Sequence, residues 1–414
     1  MIINSIIGAG IFGLPSKVFQ LTGVYSIIAF FVCAAIVLIF ILCFAEVGSR
    51  FDKTGGPYLY TLTAFGRFPA FLVGWLLLLS RIFNYATLIN LLVTYLSLFS
   101  VSLQQPFTRA LIIVFITGFL TWVNHIGVKS ISRVSNFLTV GKLIPLAIFI
   151  IVGFFFLDTH SFTAKQIPDL PSFSSAVLLL IFAFGGFESV MVNSGEIKNP
   201  SKTIPFALIT ATIVVAVFYI LIQITCIGTL PSLATSEKPI ADAATRFMGT
   251  IGGKLIVVGA FISILGTLNI LMFSGSRLPF AFSKEEQFPK LFAYVHPKFK
   301  TPTVSLLLVA VVSAIVSIAW TFLTALSVAV IIRVTVYLFV CGSLIMLRKK
   351  MPLQTGYYKI PFGNTIAVAG ILLSLCLLSA AKLIELRNAA IFLGIGIIIY
   401  LLQHKFKKPK IKKG

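Results

Sequence analysis

Apolar runs of about 20 residues recur along nearly the whole chain, separated by short stretches where Lys, Arg, Pro and Gly gather. That length carries an α-helix across the roughly 30 Å hydrocarbon layer of a bilayer. The runs lack the strict alternation of barrel strands, so the predicted elements are helices. Spans are predicted at Ile2–Leu21, Val24–Gly48, Pro69–Phe99, Arg109–His125, Ser135–Leu157 and Ser172–Ser194. Six more follow at Pro205–Leu230, Gly252–Phe282, Pro302–Trp320, Phe322–Leu347, Asn364–Lys382 and Asn388–His404. The expected fold class is therefore an all-α membrane protein of about 12 transmembrane helices.

Composition agrees with the pattern. Of 414 residues 58% are hydrophobic and 11% charged, and the mean hydropathy is +1.05, whereas soluble domains carry about 25% charged residues. A net charge of +22 would by itself suit a nucleic-acid binder, but in a membrane chain it reports orientation. With the N-terminus inside, 22 basic residues fall on cytoplasmic segments, eight on external ones and three within spans. Both termini are thus expected in the cytoplasm, the protein being a multi-pass component of the cell (inner) membrane. The tail 405–414, with six lysines, reads as a solvated anchor near anionic headgroups. The start shows no basic n-region and no small-residue cleavage site, so no removable signal peptide is expected. Cys33, Cys43, Cys226, Cys341 and Cys376 lie inside apolar runs without metal or redox spacing and read as core residues. No metal site and no cofactor is expected.

Gly8-Ala9-Gly10-Ile11-Phe12-Gly13 fits the letters of the dinucleotide fingerprint. Its context does not fit, because that fingerprint needs a preceding strand and an acid about 20 residues on; here the flanks are apolar and the first acid is Glu46. Two readings remain, close helix packing through small residues or a helix broken at mid-membrane. A second glycine pair interrupts the sixth span in Phe182-Ala183-Phe184-Gly185-Gly186-Phe187-Glu188. Paired interruptions point to an inverted-repeat transporter with its site at the midplane. Broken helices offer amide N–H groups to an anion at one half-helix start and carbonyls to a cation at the other's end. An α-amino acid presents both charges.

These stretches resemble the two unwound helices of the amino acid/polyamine/organocation (APC) superfamily of permeases. Phe44-Ala45-Glu46, Gly55-Gly56-Pro57-Tyr58 with Tyr60, Glu196 with Asn199-Pro200 through Ile204-Pro205, and His296-Pro297 with Thr301-Pro302 resemble further family motifs. The resemblance extends over nearly the whole chain. It implies a single transporter domain, 1–414, built as a five-plus-five inverted repeat (1–157 and 172–347) with two additional helices (364–404). It also implies that amides near Ala9, Gly10 and Ile11 hold the substrate carboxylate. The carbonyls of Ile6, Phe182 and Gly185, next to Gly186, would hold the amino group, with Phe182 as the gate. Only seven residues precede Gly8, fewer than the resemblance implies, so the expectation is either a start codon placed too late or a degraded transporter, whose intracellular gate would be weakened.

Lys142 lies between Thr139-Val140-Gly141 and Leu143-Ile144-Pro145 in the fifth span. Its ammonium either snorkels to the headgroups or, as the resemblance implies, stands in for a sodium ion and bridges to the first helix, which would suit proton coupling. Glu188, Arg81 and Arg333 also lie within spans, where an isolated charge is costly. The alternatives are an ion pair between Glu188 and one arginine or direct substrate contact. The expected function is secondary active transport of an amino acid, sodium-independent and either proton-coupled or by exchange; a neutral substrate is the first expectation. Antiport of basic amino acids or polyamines, or a non-transporting nutrient sensor, is the alternative. The expected partners are the amino acid, the lipid bilayer and protons, with no nucleic acid. An enzyme finds no support in the four scattered histidines or in any hydrolase or phosphate-binding motif.

Overall fold

The computed structural model describes residues 8, 10–51, 55–127, 131–163, 166–188, 191, 200–351 and 357–406, with backbone alone at 131–140, 200–202 and 404–406. It is 85% helix and, among the described residues, holds no strand. The helices are α1 (Gly10–Thr22), α2 (Ser26–Gly48), α3 (Pro57–Phe65), α4 (Arg67–Leu96), α5 (Pro106–Ile126), α6 (Ile131–Gly153) and α7 (Leu170–Phe184). They continue with α8 (Pro200–Thr229), α9 (Pro239–Lys284), α10 (Thr303–Ala319), α11 (Phe322–Lys350), α12 (Gly363–Ser379) and α13 (Leu383–Phe406). Among the described residues, seven helical stretches are long and apolar enough to cross a membrane, and four shorter apolar helices accompany them.

Burial separates centre from periphery. The most apolar window of α4 is wholly buried and that of α11 is 72% buried, against 22% for α5 and 11% for α13. The outward faces carry Phe31, Phe115, Ile151, Phe206 and Ile398, all well exposed. Hydrocarbon, unlike water, accepts such faces without penalty, so the exposed apolar belt is the expected solvent boundary of a helical membrane protein. Inside, α11 packs on α4, α2 on α8, α6 on α9 and α1 on α7. Small residues bring backbones close: a Cβ at Gly259 of α9 would stand 2.9 Å from Pro145 of α6.

Two elements depart from the apolar runs. The run expected to begin at Gly252 is entered earlier, α9 starting at Pro239 and changing direction at Gly249, where φ is +70°. The short α3 follows a turn at Gly55 and Gly56, both at positive φ, with Pro57 in its first turn. Nine residues cannot cross a bilayer, so α3 leaves no mark in a search for long runs.

Candidate functional site

The sixth apolar run breaks where its glycines stand. Helix α7 ends at Phe184, Gly185 is extended (φ −75°, ψ 168°) and Gly186 takes φ +117°. Only the second glycine is demanded by the backbone, since side chains rarely adopt that φ. Helical geometry resumes at Glu188. In the first run, Gly8 forms a bend and α1 begins at Gly10; Ile6 and Ala9 lie outside the described residues. The N-terminus of α1 meets the last turn of α7 directly, for a Cβ on Gly10 would stand 2.9 Å from Ala183 Cα and 3.0 Å from Phe182 Cδ1. The described start of α1 at Gly10 and the last turn of α7 flank one small cavity. Its volume is about 40 Å³ and its lining includes Gly8, Gly10, Arg81, Phe182, Gly185 and Arg333.

Arg333, from the middle of α11, enters the break. Its Nη1 donates to the carbonyls of Ile181 (3.3 Å) and Phe182 (3.2 Å), and its Nη2 donates to Asn84 Oδ1 (3.2 Å). Its Nε lies 3.0 Å from Glu188 Oε1, an ion pair whose alignment falls short of a hydrogen bond. Glu188 also accepts from Tyr337 Oη (2.7 Å) and from the Gly186 amide (2.6 Å). Arg333 thus pairs with Glu188, and Arg81 also lines the cavity. The guanidinium needs the space that Gly185 leaves: a Cβ there would lie 1.8 Å from Arg333 Nη1. The Phe182 carbonyl, expected to face a substrate amino group, accepts from Arg333 and from the Gly185 amide (3.2 Å), and Tyr219 Oη donates to the next carbonyl, Ala183 (3.1 Å). A cation at the C-terminal end of a helix complements its dipole; here the protein supplies that cation itself.

The Phe182 ring is buried, with the Arg333 guanidinium carbon 5.7 Å from its centroid. Ile11 is fully buried in α1. Lys142 is buried in α6, 1% exposed. Asn84, which donates to Ser80 Oγ (3.0 Å), and Tyr337 escaped the sequence reading. Their signal was helical spacing, since Asn84 lies three residues after Arg81 and Tyr337 four after Arg333, each on one face with its arginine.

A second charge cluster closes another level. Glu46, at the end of α2, accepts from Arg50 Nη2 (2.8 Å), Arg348 Nε (2.7 Å) and Nη2 (2.6 Å), and the Ile360 amide (3.0 Å). Arg50 Nη1 in turn donates to the carbonyls of Leu347 (3.0 Å) and Met351 (2.9 Å). One buried carboxylate so ties α2 to the end of α11 and to the segment before α12. On the far side of Gly10, about one turn along α1, a wider vestibule of about 300 Å³ is lined by Gly13, Lys17, Asn90, Arg109, Glu237 and Phe322, among others.

The sequence pattern of the family described as amino acid permease matches residues 1–402. The chain is 29% identical over 426 residues to the serine/threonine exchanger SteT of Bacillus subtilis, covering 99% of this chain and 95% of that protein. It is 27% identical over 425 residues to the methylthioribose transporter of the same organism (97% and 90%). It is 25% identical over 418 residues to that organism's branched-chain amino acid permease BcaP (97% and 90%).

Proposed function

The chain belongs to the amino acid permease family, and from that premise we propose that it is a secondary active transporter working by alternating access around the break between α1 and α7. Amino acid transport itself follows from the family; the finer reading concerns how this chain performs it. The observation that carries it is the interrupted sixth run, whose end at Phe182, Ala183, Gly185 and Gly186 lines one cavity together with Gly8 and Gly10. The architecture we propose is 12 spans with both termini cytoplasmic in the cell (inner) membrane, 1–157 and 172–347 as inverted repeats and 364–404 as two additional helices.

In this reading the amides of Ala9, Gly10 and Ile11 receive the α-carboxylate, where unpaired N–H groups and the helix dipole favour an anion. The α-amino group keeps the carbonyls of Ile6 and Gly185, because that of Phe182 is engaged by Arg333. Phe182, in the last turn of α7 and in the cavity lining, is the gate. Lys142 couples transport to protons in place of sodium: its ammonium is buried, so its charge is costly unless the surroundings answer it. Glu188 belongs to the same coupling machinery. The relatives' names cover a hydroxy amino acid, a branched-chain amino acid and a thioribose. That spread suits a scaffold whose common site reads little of the side chain.

Purified protein in liposomes should accumulate or exchange a labelled amino acid, and Gly10→Leu and Gly185→Leu should each abolish this. Uptake untouched by both changes would sink the site assignment. Lys142→Ala should lose pH-driven accumulation while retaining exchange, and sodium-dependent uptake by the unaltered protein would count against proton coupling. Ligand binding without any flux would select a sensor instead.

A further inference from the structure

A groove of about 370 Å³ opens at the end of the bundle where α1 finishes and α7 and α11 begin. One face of α7 forms a wall, with Ser172, Ser175, Leu178 and Leu179 at helical spacing. Leu323, Ser327 and Val330 supply a matching face of α11, and Lys17 and Leu21 come from α1. The passage from α12 into α13 completes the lining with Lys382 and Glu385, and Ser175 Oγ donates to the Ala380 carbonyl (3.4 Å) to hold that passage against α7. The rim faces outward: Leu323 is 39% exposed and Leu383, next to Lys382, is 85% exposed. In a membrane protein such apolar surface meets hydrocarbon.

The groove changes character with depth. Lys17, Ser172 and Lys382 stand at its mouth, while Leu178, Leu179 and Val330 lie about two turns further along their helices. Two turns is about 11 Å, which stays within the roughly 15 Å of hydrocarbon belonging to one leaflet. A free amino acid would fill only the mouth; an amphiphile matches both levels. The mouth also sets the sign of the polar end. Neither Lys17 Nζ nor Lys382 Nζ has a hydrogen bond or ion pair among the described residues. The two acids nearby are turned to helix starts: Glu385 Oε2 accepts from the Lys382 amide (3.1 Å), and Asp169, outside the lining, accepts from the Ser172 amide (3.1 Å). Two ammoniums over an apolar floor fit a phosphate with an acyl chain beneath it. Lys17 and Leu323 also line the vestibule beyond Gly10, so the groove and the vestibule share a wall.

We propose that this groove binds one anionic phospholipid, with an acyl chain lying between α7 and α11 and the phosphate between Lys17 and Lys382. The bound headgroup neutralises Lys17 at the shared wall and so alters the field that a charged solute meets in the vestibule. That the lipid comes from the outer leaflet follows from the orientation proposed above, and the effect on the vestibule rests on the transport reading. The lipid site itself depends on neither.

The test is native mass spectrometry of the full chain in detergent, titrated with palmitoyl-oleoyl phosphatidylglycerol or with the matching phosphatidylcholine. One phosphatidylglycerol should bind with a Kd about 30-fold below that of phosphatidylcholine, about five-fold for each lysine. Lys17→Gln and Lys382→Gln should each weaken it about five-fold, with Lys17→Arg retaining most of the affinity and Lys254→Gln, in α9 outside the groove, leaving it unchanged. Ser327→Phe, which fills the groove and keeps both lysines, should weaken both lipids, and it decides the matter should the lysine variants fail to fold. Equal affinity for the two lipids, undiminished binding in these variants, or a dimer whose formation excludes lipid would overturn the site. In liposomes of phosphatidylcholine with and without phosphatidylglycerol, KM for a transported amino acid should differ for the unaltered protein and not for Lys17→Gln. An identical KM would overturn the link to the vestibule and leave the lipid site standing. No flux from lipid-bound protein would overturn the transport reading and that link, again without touching the lipid site.

Discussion

Replacing Gly185 by alanine isolates the arginine in the helix break. Gly185 has φ −75° and ψ 168°, which any residue adopts, so backbone strain contributes nothing to the cost. The added Cβ would instead lie 1.8 Å from Arg333 Nη1, 2.2 Å from Cζ and 2.8 Å from Nε. Carbon cannot approach so closely, and the guanidinium has to leave. Leaving means losing the Glu188 contact and the bonds to Ile181, Phe182 and Asn84. Breaking a buried ion pair costs about 3–5 kcal/mol because the remaining charge stays buried, and this change displaces one partner without deleting it. Gly185→Ala should therefore destabilise by about 3 kcal/mol or more, close to the effect of Arg333→Ala. The assay is thermal unfolding in detergent of Gly185→Ala, Arg333→Ala and the double variant, read as a cycle. In the Arg333→Ala background the extra methyl meets no guanidinium, and its further cost should drop below about 1 kcal/mol. Equal costs in both backgrounds, or a Gly185→Ala protein as stable as the original, would refute the argument.

Tyr337→Phe removes the 2.7 Å hydroxyl bond to Glu188 and should cost about 1.5–3 kcal/mol, as for hydrogen bonds to charged groups, measured by the same unfolding assay. Glu46→Gln leaves Arg50 and Arg348 without their shared carboxylate and should destabilise by about 3–5 kcal/mol; a shift of less than about 1 kcal/mol would mean that the cluster behaves like a surface pair. Gly186→Ala forces a side chain to φ +117° and should cost about 1–3 kcal/mol in the same unfolding assay. At the start of α7, hydrogen bonds from the Ser172 hydroxyl and amide to exposed Asp169 hold its carboxyl below the usual carboxylate range. A depressed pKa makes this cap fully effective above the ordinary carboxylate range and loses it as pH falls through the lowered value. Hydrogen exchange in the first turn of α7 should accordingly rise only at acid pH, and Asp169→Asn should suppress that response.

Much of the helical frame was legible because hydrocarbon imposes length. Most predicted runs coincide with helices to within a few residues, as Phe322–Leu347 does with Phe322–Lys350. The elements that escaped are those to which length does not apply, α3 with nine residues and the part of α9 before the Gly249 bend. Glycine marked the break in the sixth run, but for two different reasons that the letters do not distinguish: Gly186 answers a backbone angle and Gly185 makes room for Arg333. A sequence can list the charges that lie in apolar runs, because each needs compensation there. Pairing them takes the fold, since 149 positions separate Glu188 from Tyr337 and 302 separate Glu46 from Arg348. In the sequence Arg50 and Arg348 are simply basic residues after apolar runs, and only the fold commits both to Glu46. The same step from list to pairing changes the meaning of Arg333. As a letter in a span it could be structural or substrate-binding; placed across the last carbonyls of α7 it is both an anchor for the broken helix and a cation at the cavity wall.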